Sequence, residues 1–102
     1  MLDRAERPTA ILATSDQLAI GAIEAARTRG LRVPQDVSII GFDDVPAAAK
    51  SEPPVTTVRQ PLRKTGAMGA KMLLEGWEVE PPSVILPTEL IVRASTAPVP
   101  HV

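Results

Sequence analysis

Between Val37 and Asp44 the chain reads VSIIGFDD, a short, nearly continuous apolar run that ends in a glycine and two aspartates. A run of this length with no polar alternation is expected to be buried on both faces, as in a parallel strand covered by helices. At the carboxyl edge of such a sheet, open α/β folds hold small ligands. Carboxylates placed there can accept charge-assisted hydrogen bonds from ligand hydroxyls or ring nitrogens. The motif therefore sets both a fold expectation and a place to look for a site.

The rest of the chain can be built around that strand. Ala10 to Ala13 form a second short apolar run, introduced by Pro8 and Thr9, and read as another buried parallel strand. Thr14, Ser15 and Asp16 follow as a helix N-cap cluster. A helix is predicted over 17–29, stopped by Gly30 in left-handed geometry. At 100° per residue, Ala19, Ala22, Ile23 and Ala26 share its core face, which leaves Ile20 on the charged side between Glu24 and Arg27. Isolated surface apolar residues are normal, so Ile20 alone requires no partner.

Pro34 fixes the connection from Leu31 to Asp36. VPAAAKSEPP after the aspartates leaves room for little more than one helical turn. Val55 to Arg59 is a third strand, and Pro61 opens a helix running from Leu62 to Gly76. That helix carries Leu62, Gly66, Gly69 and Leu73 on one face, and its two glycines predict close packing against something. WEVEPP is a polar loop, and Val84 to Arg93 reads as an extended strand interrupted by Pro87. Strand, helix, strand, loop and strand give an α/β fold with a parallel sheet flanked by helices.

Composition narrows the function classes. The 102 residues suffice for one small domain, and 44% hydrophobic with 23% charged residues is ordinary globular composition. Phe42 and Trp77 are the only aromatics, so the core must be aliphatic. Eleven basic residues against 12 acidic ones give a net charge of −1 and no basic stripe to track a phosphate backbone. Arg27, Arg29 and Arg32 read as a solvated helix end. The absence of cysteine excludes disulfides and thiolate zinc sites.

The first residues lack the apolar run of a secretory signal, and no stretch approaches a membrane span, so a cytoplasmic location is expected. Enzyme signatures are missing: the chain has no GxGxxG, no P-loop and no GxSxG elbow. The sole histidine, His101, lies one residue from the end. Asp43 and Asp44 would point to opposite faces if the strand continued through them, which argues against paired acid–base catalysis. No catalysis, cofactor or metal is expected.

Four residues are candidate ligand contacts: Asp43, Asp44, Ser15 and Asp16. Parallel pairing of the two strands would bring Ser15 and Asp16 near Asp43, and such convergence is what a site requires. Each also has a structural reading. Ser15 and Asp16 are favoured N-cap residues, and Asp43 or Asp44 could cap the turn after Val45.

The segments SDQLAIGAIEAARTRGLRVPQDVSIIGFDDVP, PPVTTVRQP and LPTELIVRAST, in that order and spacing, resemble the effector-binding domain of the lac-repressor (LacI/GalR) family of transcriptional regulators, from about Pro8 to Thr96. Val55, where Leu is usual, and Ala94, where an acidic residue is common, depart from the pattern. The resemblance implies a partial periplasmic-binding-protein-like (Rossmann-like) lobe corresponding to the last third of such a protein. It implies the carboxy-terminal lobe over 8–60, a helix and strand of the other lobe over 61–86, a return strand over 87–97, and flexible ends at 1–7 and 98–102. It also implies that Asp43 faces the effector, that Ser15 often does, and that Asp44 is structural.

The resemblance further implies a small polar effector, a sugar by preference, and a homodimer or higher oligomer with Ile20, Glu24 and Arg27 at its interface. Operator DNA would be reached only through a helix-turn-helix headpiece that these residues do not include. The helix from Leu62 would then lack its native sheet, and dimerisation, domain swapping or partial disorder is expected. The alternatives are part of the sugar-binding protein of a transporter, or a dimerisation module without ligand.

Overall fold

The computed structural model describes residues 6–76 and 83–100. The WEVEPP loop, His101 and most of the expected flexible leader lie outside the described residues. In chain order the elements are β1 (Ala10–Leu12), α1 (Asp16–Thr28), β2 (Ser38–Ile40), α2 (Pro46–Lys50), β3 (Thr57–Arg59), α3 (Leu62–Glu75) and β4 (Glu89–Ile91).

β1 and β2 pair in parallel, with Ile11 opposite Ile39. β3 continues the layer through parallel bridges from Ile40 to Thr56 and from Asp43 to Arg59. β4 then pairs antiparallel with β3, Val58 opposite Leu90. The return segment is also tied to β2, because the Ile39 amide donates to the Ser95 carbonyl at 2.9 Å. Buried Ser95 completes the seam: its hydroxyl donates to the Ile39 carbonyl and accepts from the Thr56 amide at 2.8 Å. A buried hydroxyl with both roles filled costs little, whereas an orphaned one would be expensive.

α1 begins where the Ser15 hydroxyl accepts a hydrogen bond from the Leu18 amide at 3.2 Å, and it ends before Gly30, which has φ 72°. Its buried face is Ala19, Ile23 and Ala26, joined by Asp16. These pack with Val37, Ile39, Ala48 and Val55 to form an aliphatic core. The small residues let the helix lie close to the sheet, and the closest point is Gly41. A Cβ there would meet Asp16 Oδ1 at 2.3 Å and Ala19 Cβ at 3.3 Å. Only glycine fits beneath α1 at that position.

Three expectations need correction. Ile20 is half-buried and packs against the core instead of standing free on the charged side. β1 is the edge of its sheet, with Leu12 72% exposed, so an apolar run there does not mean cover on both faces. The extended segment from Val84 narrows to three paired residues, since only Glu89–Ile91 find a partner strand.

The body formed by α1, α2, β1 to β3 and the return segment contrasts with an arm formed by α3. No residue of α3 is buried, and Leu74 is 88% exposed. Gly66 and Gly69 have open space where a side chain would stand. The radius of gyration is 17.8 Å, against about 13 Å for a compact chain of this length. The helix itself is regular, closing at Gly76, whose amide donates to the Met72 carbonyl at 3.0 Å.

Candidate functional site

β2 ends at Ile40, so the two aspartates do not sit on an extended strand. Asp43 has φ 112° and Asp44 φ 61°, two consecutive non-glycine residues in the left-handed half of backbone space. Aspartate tolerates this better than most residues, yet each such residue still costs about 1–3 kcal/mol. Strain of that kind persists only where surrounding contacts hold it. Here the Asp43 amide donates to the Val58 carbonyl at 2.9 Å, fastening the turn to β3.

The turn forms one wall of an open cleft of about 850 Å³. Asp43, Asp44 and Pro46 line it together with Arg59, Gln60, Pro61 and the first turns of α3. Asp43 is half-buried, and its Oδ1 accepts from Gln60 Nε2 at 2.6 Å. One oxygen of a lining carboxylate is thereby oriented, and a carboxylate has further lone pairs to offer.

Asp44 is engaged differently. Its Oδ2 accepts from Arg59 Nε at 2.7 Å and its Oδ1 from Arg93 Nη2 at 2.7 Å, with the side chain 9% exposed. Burial pushes its carboxyl upward, but the hydrogen bonds and charges of the two arginines outweigh it and hold the group below the usual carboxylate range. Arg59 is correspondingly raised by Asp44. Arg93 also donates to the Val55 carbonyl at 3.0 Å. Asp44 therefore knits β3 and the return segment to the turn, and its acceptor capacity is largely taken by the protein.

Ser15 and Asp16 do not line this cleft. The Asp16 amide donates to the Phe42 carbonyl at 3.0 Å, so the two strand ends do meet. The side chains, however, turn to other work. Ser15 caps α1. Asp16 is 1% exposed, with Oδ2 accepting from the Val45 amide at 2.8 Å and Oδ1 from the Thr57 hydroxyl at 2.6 Å. A buried carboxylate with donors on both oxygens is a structural tie between α1, the turn and β3. Gln60, Arg59 and Arg93 were not singled out from sequence, although two aspartates facing arginine-bearing motifs is a charge complementarity that could have flagged them.

Elsewhere the charged residues are used locally. Arg32 pairs with Asp36 at 3.1 Å, which lowers the Asp36 carboxyl to about 2, and the Arg27 guanidinium donates to the Glu52 carbonyl. Among the described residues no group of three or more metal-ligating acids and histidines occurs, and no helix is long and apolar enough to cross a membrane.

Parallel and antiparallel strand pairs flanked by helices, with a strained acidic turn after β2 opening on a cleft, define an α/β fold. The chain belongs to the periplasmic binding protein-like domain family, whose sequence model matches residues 1–96, in the form carried by LacI-type transcriptional regulators. It is 48% identical over 101 residues to the HTH-type transcriptional regulator DegA of Bacillus subtilis, covering 96% of this chain and 30% of DegA. Its fold matches the transcriptional regulator CelR solved as a cellobiose complex, with a TM-score of 0.84 and 40% identity over 92% of this chain and 30% of that one. It also matches the lac repressor dimer bound to operator and the anti-inducer ONPF, with a TM-score of 0.78 and 37% identity over 87% of this chain and 32% of the repressor. The chain spans less than a third of the length of DegA.

Proposed function

We propose that this chain forms one wall of the effector cleft of a bacterial transcriptional regulator, and that the effector is a small polar metabolite, a sugar. Asp43 is the contact residue in this reading and Gln60 its orienting partner. The observation that carries it is the Asp43 carboxylate, set on a left-handed backbone in the lining of the cleft and held by Gln60 at 2.6 Å. Sugar hydroxyls are donors that such a carboxylate recognises, and the cellobiose complex of CelR supports the choice of ligand.

Closure on the effector would pass to operator affinity as a population shift, through DNA-binding residues outside this chain. The role is binding and not catalysis, in the cytoplasm where operator DNA lies. Glu24 and Arg27, with half-buried Ile20 between them, are the proposed contact between protomers, by analogy with the lac repressor dimer.

Titration calorimetry against a panel of mono- and disaccharides that includes cellobiose tests the ligand reading. Saturable heat that Asp43→Ala abolishes is expected. Saturable binding indifferent to Asp43→Ala would overturn the role of Asp43, and silence across the panel would overturn the sugar. For the interface, light scattering after size exclusion should report a dimer that Glu24→Arg with Arg27→Glu dissociates, and an unchanged mass would reject it.

A further inference from the structure

The chain leaves the body through β3 and returns through β4, so these two strands form the covalent neck between the body and the α3 arm. The neck is short, three residues on each side, with Arg59 opposite Glu89 at its far end. Four charged side chains gather on it. Arg59, the last residue of β3, reaches Asp44 at 2.7 Å and Glu89 of β4 at 3.6 Å. Arg93, two residues beyond β4, reaches the other oxygen of Asp44 at 2.7 Å. Asp44 itself belongs to the body, on the turn after β2.

We propose that Asp44 is a positioning residue that sets the pose of the arm over the cleft, by gripping with one carboxylate the end of the outgoing strand and the segment that follows the returning one. The geometry suits that task. The arm makes no buried contact of its own through α3, so its direction depends on the neck. An antiparallel pair of three residues is free to twist, since short two-stranded ribbons are the most twisted and least stable sheets. One anchor at the end of β3 and another two residues beyond β4, both drawn to the same carboxylate, remove that freedom. The φ of 61° at Asp44 holds the carboxylate in its place, and the Asp43 amide bond to the Val58 carbonyl adds a backbone anchor beside it. Both walls of the cleft are therefore joined through the same cluster, because Asp44 and Arg59 line it together with the first turn of α3. Whatever ligand the cleft takes, its width follows from these ion pairs.

The absence of cysteine makes the test direct. Spin labels on cysteines introduced at exposed Gln17 of α1 and exposed Lys71 of α3 report the distance between body and arm by double electron–electron resonance, with no ligand present. The otherwise unsubstituted chain should give one narrow distance distribution, and Asp44→Ala should lose it in favour of a broad one, while circular dichroism shows the helices retained. Arg59→Ala removes the same grip from a half-exposed residue that the core does not need, and it should broaden the distribution even if Asp44→Ala fails to fold. Arg32→Ala, which breaks an ion pair of the body alone, should leave the peak as it was. A distribution equally narrow in Arg59→Ala and in a folded Asp44→Ala, or equally broad in the unsubstituted chain, would overturn the proposal.

Discussion

α1 and α3 are helices of nearly equal length, 13 and 14 residues, yet one has a face buried in a core and the other has no buried residue. Both carry apolar residues at helical spacing and both end at a glycine with positive φ just beyond. What separates them is the partner. α1 lies on a sheet whose Val37, Ile39 and Val55 face it, whereas α3 presents Leu62, Leu73 and Leu74 to solvent. A helix of about 14 residues is marginal in water without a packed face, so stability in this chain belongs to the body and the arm depends on what lies beside it.

Substitutions can break or sharpen that contrast. The largest effect is expected from Ile39→Ala in the body, where deleting buried methylenes should lower the unfolding free energy by about 2–5 kcal/mol in urea denaturation. Asp16→Asn should follow, at about 2–3 kcal/mol, because an amide matches the Val45 and Thr57 donors with only one acceptor oxygen and leaves a buried donor unpaired. Equal stability of this variant would show that the buried tie is not what holds α1 to β3. Gly41→Ala, whose methyl must displace the Asp16 carboxylate from the same donors, should cost at least as much, about 2–3 kcal/mol by the same measurement.

Acid should act next, through the neck. The Asp44 carboxyl holds its proton less readily in the folded chain than in the unfolded one, so its contribution is present above the ordinary carboxylate value of about 3.9 and is lost as pH falls below that toward the depressed one. Thermal melts from pH 6 down to about 2 should therefore fall more steeply for the unsubstituted chain than for Asp44→Asn, and parallel curves would remove this linkage. The smallest effect is reserved for the arm: Leu74→Ala, at 88% exposure, should leave stability within about 0.5 kcal/mol. A larger loss would mean that α3 is covered in solution, and would erase the contrast between the two helices.

Local chemistry made much of the body legible. Helical periodicity marked Ala19, Ile23 and Ala26 as the buried face of α1, and Gly30 marked its end. The two aspartates were visible as polar residues at the end of an apolar strand, though the left-handed turn they form was not, and the family pattern was visible in motif order. Less legible were features whose partners are far away in the chain. Asp16 reads as an N-cap residue, but Thr57, which turns it inward, is 41 residues distant. Asp44 meets Arg93 across 49 residues. Ile20 and Leu12 were misjudged in opposite directions, because burial depends on which strand or loop arrives from elsewhere, and periodicity carries no information about arrivals.

Sequence alone determined the succession of helices and strands, the aliphatic core and the presence of two aspartates at the end of an apolar strand, since each rests on short-range propensity, spacing or composition. Tertiary structure alone decided that Asp43 and Asp44 line a cleft, with Asp44 also paired to two arginines, while Ser15 caps a helix and Asp16 is an internal tie. The reason is physical: a carboxylate takes its role from the donors within about 3 Å of it, and those donors are brought there by chain folding.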